Sequence, residues 1–173
     1  MLLYHNTDLK SFQQILLDGK IKPSLKTKKR NQNPYDFFSP YNFFNTIPKT
    51  KVSSFTKVSG VGIVFNQNIL HDRVFYTNEN HSAGNTKSSN RYKISNNKYL
   101  TKVLYSLYLH SLRIVRKIKM DTWILSVFQE VFTKKEPMLC DAVYVIISSK
   151  ETKTIKTIKT MYPNIQIINS IIN

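Results

Sequence analysis

The opening of the chain lays out three elements in order. Leu2, Leu3 and Tyr4 read as a short apolar strand ending on His5; Asn6, Thr7 and Asp8 make a polar corner; Leu9, Phe12, Ile15 and Leu16 then recur at helical spacing up to Gly19. Thr7 or Asp8 is placed to accept the free N–H groups of the first helical turn, and Gly19 supplies the left-handed residue that stops the helix. Further on, Lys51–Lys57 alternates like a half-buried strand, Gly60–Phe65 reads as a buried one, and Arg73–Thr77 as another short one. Asn78–Asn97, dominated by Asn, Ser, Gly and Lys, predicts a surface loop. Lys98–Lys119 predicts the longest helix, with Leu100, Val103, Leu104, Leu107, Ile114 and Ile118 on one face. A strand near Phe128–Phe132, a buried strand over Ala142–Ile147, a threonine-rich helix over Lys150–Met161 and a last strand over Ile165–Ile172 complete the pattern. With 173 residues and no internal repeat, this predicts one sheet-dominated α+β domain spanning residues 1–173.

Charge changes this picture more than overall hydrophobicity does. Lys and Arg number 26 against 10 Asp and Glu, a formal net charge of +16. An A/T-rich coding sequence would favour lysine, asparagine and isoleucine, but glutamate codons tolerate the same bias and only four glutamates occur among the 10 acids. The excess points to a polyanionic partner, with nucleic acid first and an acidic protein or anionic membrane surface behind it. The single cysteine, Cys140, has no internal disulfide partner and reads as a small buried residue; there is no apolar run long enough to span a bilayer and no cleavable leader pattern. These features imply a reducing, cytoplasmic setting without membrane insertion.

The cations cluster. Lys20–Asn33 carries Lys20, Lys22, Lys26, Lys28, Lys29 and Arg30 without an acid, and runs into Pro34–Pro48, crowded with tyrosine and phenylalanine. Cations that follow phosphates beside rings that stack on bases suit single-stranded nucleic acid. The competing reading is a solvated loop leading into core aromatics. On the long helix, Lys98, Lys102, His110, Arg113, Arg116 and Lys117 gather opposite the apolar face, either as a solvated surface or as a groove for a polyanion. Lys28, Lys29, Arg30, Lys102, Arg113 and Lys117 are the candidate nucleic-acid contacts.

Candidate chemistry is sparse. Glu79 lies in the polar loop, Glu136 precedes a proline in a lysine-rich turn and Glu151 opens a helix, all positions where carboxylates are routinely solvated. Glu130 differs, because Val127, Phe128, Val131 and Phe132 around it form a strand that packs on a core, where an unpaired carboxylate is costly. It is the candidate catalytic residue, against a reading as a strand-edge residue paired with a lysine. Four scattered histidines, one cysteine and few acids give no metal-ligand spacing, and there is no Gly-rich phosphate loop or C-x-x-C.

Several of these stretches resemble the ADP-ribosyltransferase superfamily. Tyr4-His5-Asn6-Thr7 is similar to the family's Tyr-His-Gly-Thr opening, Ser54-Phe55-Thr56-Lys57 to its Ser-x-Thr-Arg second strand, and Gln129-Glu130-Val131-Phe132 to the third strand that carries its glutamate. Val74-Phe75-Tyr76-Thr77 and Pro163–Ile167 fit, in the same order, the DNA-modifying DarT branch. The resemblance implies a split mixed or antiparallel β-sheet with flanking helices that grips NAD as substrate. In that reading His5 bonds a ribose hydroxyl on the adenosine or nicotinamide side, Asn6 and Thr7 line the same corner, and Ser54 and Thr56 support the pocket wall. Glu130 binds the nicotinamide ribose and assists transfer, and Arg30 or Arg73 meets the NAD phosphates. Asn6 stands where the family has glycine and Lys57 where it has arginine, and Gln129 adjoins Glu130 rather than preceding it by two, which disfavours transferases of protein side chains. The expectation is ADP-ribosyl transfer to DNA or RNA. The alternatives are transfer to a protein target, and a non-catalytic basic module that binds nucleic acid or a host protein.

Overall fold

The computed structural model describes residues 1–27, 39–50, 60–77, 90–117 and 130–170, with backbone alone for Ser111, for 114–117 and for Glu130. Strand β1 (Leu2–Thr7) leads into helix α1 (Leu9–Asp18). Asp8 caps that helix by accepting the Ser11 N–H at 2.7 Å and the Ser11 hydroxyl at 2.7 Å, and Gly19 ends it at φ 66°. A single turn, α2 (Ser24–Thr27), precedes β2 (Asn42–Ile47), β3 (Val61–Asn66), β4 (Val74–Thr77) and β5 (Asn90–Lys93). Helix α3 (Asn97–Lys117), β6 (Glu130–Thr133), β7 (Ala142–Ile147), α4 (Thr152–Met161) and β8 (Gln166–Asn169) follow.

Among the described residues the strands form one eight-stranded sheet in the order β5-β4-β6-β2-β1-β3-β7-β8. All pairings are antiparallel except β7 with β8, where α4 supplies the crossover that a parallel pair requires. Alternation along the strands divides the apolar residues between two faces. Leu3, Phe44, Phe65, Phe75 and Val131 form one core with Phe12 and Leu16 of α1, Leu100, Leu104 and Leu107 of α3, and Ile158 of α4. Leu2, Tyr4, Ile47, Val64 and Ile146 form a second cluster on the other face. No described helix is long and apolar enough to cross a membrane.

The structure corrects several expectations. Asn90–Lys93 is an edge strand and not loop: its backbone pairs with β4, and Tyr92 stacks on Phe75 at 5.6 Å, so polar side chains at the edge cost nothing in packing. Cys140 is exposed, because in the 3-10 turn Leu139–Asp141 it is Leu139 that fills the core. The aromatic stretch before Pro48 contains the central strand β2, and Phe44 is fully buried in the core. Glu136 is not simply solvated: with its side chain 15% exposed it pairs with Lys20 at 2.7 Å and with Lys26. Those lysines, above all Lys20, hold its carboxyl below the usual glutamate range. Lys22 pairs with Asp18 at 2.9 Å, so three of the six basic residues in Lys20–Arg30 are ion-paired, to two carboxylates of the chain's own. The strand expected over Lys51–Lys57, the residues Lys28, Lys29, Arg30, Ser54 and Thr56, and the side chain of Lys117 lie outside the described residues.

Candidate functional site

The sheet forks between its two central strands. On one side β1 pairs with β3 along its whole length, from Leu2 opposite Asn66 to Thr7 opposite Val61. On the other it pairs with β2 over Leu2, Leu3 and Tyr4 only, while β2 continues along β6 through Phe44, Phe43 and Asn42. His5, Asn6 and Thr7 therefore form one lip of an opening and Asn42, Phe43 and Phe44 the other. The fork closes at the row Tyr4–Asn45–Glu130, in which Asn45 faces Tyr4 across one ladder and Glu130 across the other. Strand spacing puts the Glu130 backbone about 10 Å across from that of Tyr4. His5 thus stands at the fork itself, while the Glu130 backbone lies one strand beyond its closed end, on the far side of β2.

His5 bridges the lips. Its Nδ1 lies 2.9 Å from the Phe43 carbonyl oxygen, and its ring sits 5.7 Å from that of Phe44. A carbonyl only accepts, so Nδ1 carries the proton. Burial lowers the imidazole pKa and outweighs the opposing effect of the Phe43 carbonyl, so the ring is neutral at pH 7. Nε2 is left as an acceptor, with no hydrogen-bond partner among the described residues. On the other face of β1 the Tyr4 hydroxyl, whose pKa burial raises, donates to Asn6 Oδ1 at 3.2 Å, which leaves the Asn6 amide nitrogen as a donor at the lip. On that face too, opposite Tyr4, Asn45 Oδ1 is buried with no partner among the described residues. Such an acceptor is uncommon in a folded chain and marks a place where a donor from outside would be accommodated.

Two glycines set this geometry. The Tyr4 ring lies over Gly62, where a Cβ would come within 2.5 Å of Tyr4 Cε2. Gly60, at φ +103°, presses on the Thr7 carbonyl and fixes the corner where β1 turns into α1. The start of α1 is not an open anion site, because the Asp8 carboxylate already occupies first-turn donors and would repel a phosphate.

Arg73 is exposed just before β4, at the end of the sheet toward which the fork opens. The Val74 carbonyl accepts from the Thr133 hydroxyl at 3.0 Å, and Thr133 stands opposite Asn42. Strand β6 separates β4 from the fork, so Arg73 lies near the opening rather than inside it. Lys135 is its cationic neighbour, with an ammonium pKa lowered chiefly by burial and then by Arg73. Lys102 and Arg113 are exposed on the outer side of α3. No group of three or more metal-ligating side chains occurs among the described residues.

The strand between β1 and β6 is Asn42–Ile47, a stretch that read in the sequence only as an aromatic segment before Pro48. Asn45 was missed with it. The available signal was the run of aromatic and β-favouring residues bracketed by Pro40 and Pro48.

A mixed sheet forked at its centre, with helices packed on one face, is the ADP-ribosyltransferase fold in the form taken by DarT. The chain is similar to Thermus sp. 2.9 DarT in complex with carba-NAD+ (TM-score 0.57, 14% identity, covering 98% of this chain and 95% of that one). It is similar to the same protein in complex with NAD+ (TM-score 0.56, 14% identity, 96% and 94% covered). It also matches the complex with ADP-ribosylated ssDNA (TM-score 0.53, 12% identity, 97% and 93% covered). At this identity the likeness is one of fold. No protein-family model and no curated protein matches the chain.

Proposed function

We propose that this protein is an NAD-dependent ADP-ribosyltransferase whose acceptor is a nucleic acid base. The observation that carries the reading is the fork, with a neutral histidine at its mouth and a strand beginning on Glu130 at its closed end. Solved examples of the same fold include a complex with NAD+. The residues suit a dinucleotide: His5 Nε2 accepts from a ribose hydroxyl, Asn6 and Thr7 line that lip, and Asn45 Oδ1, without a partner among the described residues, takes a donor from it. Ser54 and Thr56 complete the pocket wall, and Arg73 meets the pyrophosphate.

Glu130 is the catalytic residue. In the transfer the bond from nicotinamide nitrogen to ribose C1′ breaks, and its electron pair leaves with neutral nicotinamide. The carboxylate stabilises the positive charge that develops on the ribose. A nucleophilic atom of the base then bonds to C1′, and the proton it loses passes through Glu130 to solvent. Nucleic acid is favoured as acceptor by the net charge of +16 and by Lys102 and Arg113, which have no ion-pair partner among the described residues. Lys28, Lys29, Arg30 and Lys117 are the further candidate contacts with nucleic acid in this reading. A solved relative in fold is a complex with ADP-ribosylated ssDNA.

Incubation of the folded protein with labelled NAD+ and DNA, RNA or protein tests the proposal. Label is expected on nucleic acid and is expected to vanish in a folded Glu130→Ala variant. Label on protein alone would move the acceptor assignment. Absence of label from all three would favour a binding module without catalysis.

A further inference from the structure

Helix α3 carries more than its buried stripe requires. Leu100, Leu104, Leu107 and Tyr108 are buried, yet Tyr99 is 58% exposed, Tyr105 47% and Leu109 36%. Lys98, Lys102, Tyr105, Leu109 and Arg113 follow one another at helical spacing along a single outer face about 22 Å long. Tyr99 and His110 run beside them. The helix contains no acid, and Lys98, Lys102 and Arg113 have no ion-pair partner among the described residues. The Tyr105 ring is propped by buried Tyr108, with centroids 6.3 Å apart and planes at 33°, so it is held before anything binds. Single exposed apolar residues need no explanation, but two rings and a leucine threaded between uncompensated cations match neither a solvated face nor an apolar docking patch.

We infer that the outer face of α3 is a stacking platform for single-stranded DNA, with Tyr99 and Tyr105 under the bases and Lys98, Lys102 and Arg113 along the phosphates. The inference rests on the proposal that the acceptor is nucleic acid, and it names the surface and the strand form. Rings need unpaired bases, which a duplex hides. Nothing on the face beyond rings and cations is needed to hold the strand, and both act on groups that DNA has, without a 2′-hydroxyl.

Fluorescence anisotropy with a labelled mixed-sequence DNA 12-mer tests it on the full chain. Tyr105→Ala and Tyr99→Ala are each expected to weaken binding about 5- to 150-fold, the range measured when a stacking ring is removed. Tyr105→Phe, which keeps the ring, should retain affinity. Lys102→Ala and Arg113→Ala should each flatten the dependence of log affinity on log salt by about 0.7. Removing the same charge from α4 with Lys153→Ala and Lys156→Ala should change affinity little, and duplex binding should be insensitive to the tyrosines. Tyrosine variants binding within twofold of wild type, equal losses from the α4 changes, or no binding of the 12-mer at all would overturn the inference. RNA of the same sequence bound tenfold more tightly would overturn the assignment to DNA. The two proposals fail separately: Glu130-dependent labelling of DNA unaffected by the tyrosines would sink the platform alone. Tyrosine-dependent binding with no transfer to any acceptor would sink the transferase alone.

Discussion

Gly60→Ala adds one methyl group at the corner that shapes the fork. An ideal Cβ there would stand 2.4 Å from the Thr7 carbonyl oxygen and 3.4 Å from Asp8 Cα, both backbone atoms that cannot swing aside. A side chain at φ +103° is strained as well. Backbone strain of this kind costs about 1–3 kcal/mol, and overpacking adds about 1–3 kcal/mol, so destabilisation of about 2–6 kcal/mol is expected. Gly19→Ala is the control, since at φ +66° its Cβ meets only the Tyr162 hydroxyl at 3.5 Å. It should cost about 1–2 kcal/mol, the left-handed penalty alone. In equilibrium urea unfolding, with a slope of about 2 kcal/mol/M, the midpoints should fall by about 1–3 M for Gly60→Ala and by about 0.5–1 M for Gly19→Ala. NAD affinity should drop in Gly60→Ala, because Thr7 is on the lip, and hold in Gly19→Ala. Equal midpoint shifts, or a Gly60→Ala protein that binds NAD like wild type, would refute the argument that this contact sets the site.

Three further outcomes follow from buried or bridging groups. His5 is held neutral, so between its lowered folded pKa and the ordinary value of 6.5 the folded chain binds fewer protons than the unfolded one. Its contribution to stability is complete above 6.5 and is lost as pH falls through the folded pKa. His5→Gln should flatten that part of the urea-midpoint curve, and an unchanged curve would contradict the assignment. Glu136, with its pKa lowered by Lys20 and Lys26, contributes stability above the ordinary 4.5 that disappears in acid. Glu136→Gln should cost about 1 kcal/mol or less at neutral pH and remove that acid slope; a full slope in the variant would refute the bridge. Asn45→Leu removes a buried acceptor with no partner, so thermal stability should hold or rise while NAD affinity falls by calorimetry; the reverse pattern would make Asn45 structural.

Local rules made much of the fold legible. The capped α1, β3, β7 and α4 were written in spacing, Asp8, Gly19 and runs of β-branched residues, which act over a few positions. What escaped was set by partners far along the chain. Asn90–Lys93 has no apolar alternation and is a strand because β4 offers it an edge. The aromatic residues before Pro48 gave no sign that they would lie between β1 and β6, since strand order is a tertiary fact. Glu136 looked solvated because its lysines come from a segment more than 100 positions away in sequence. Residue type and position single out His5 and Glu130 as candidates in the sequence. The fork beside His5 is invisible there, because it depends on β1 leaving β2 after Tyr4, which nothing in either strand's own sequence dictates.

Whether the divergence of β1 from β2 makes the proposed NAD site is tested most directly by a crystal of the folded protein soaked with a non-cleavable NAD analogue. The dinucleotide is expected between the His5–Thr7 and Asn42–Phe44 lips, with a ribose hydroxyl on His5 Nε2 and the nicotinamide end toward Glu130. Ordered dinucleotide anywhere else on the molecule, or an empty fork at saturating analogue, would contradict it.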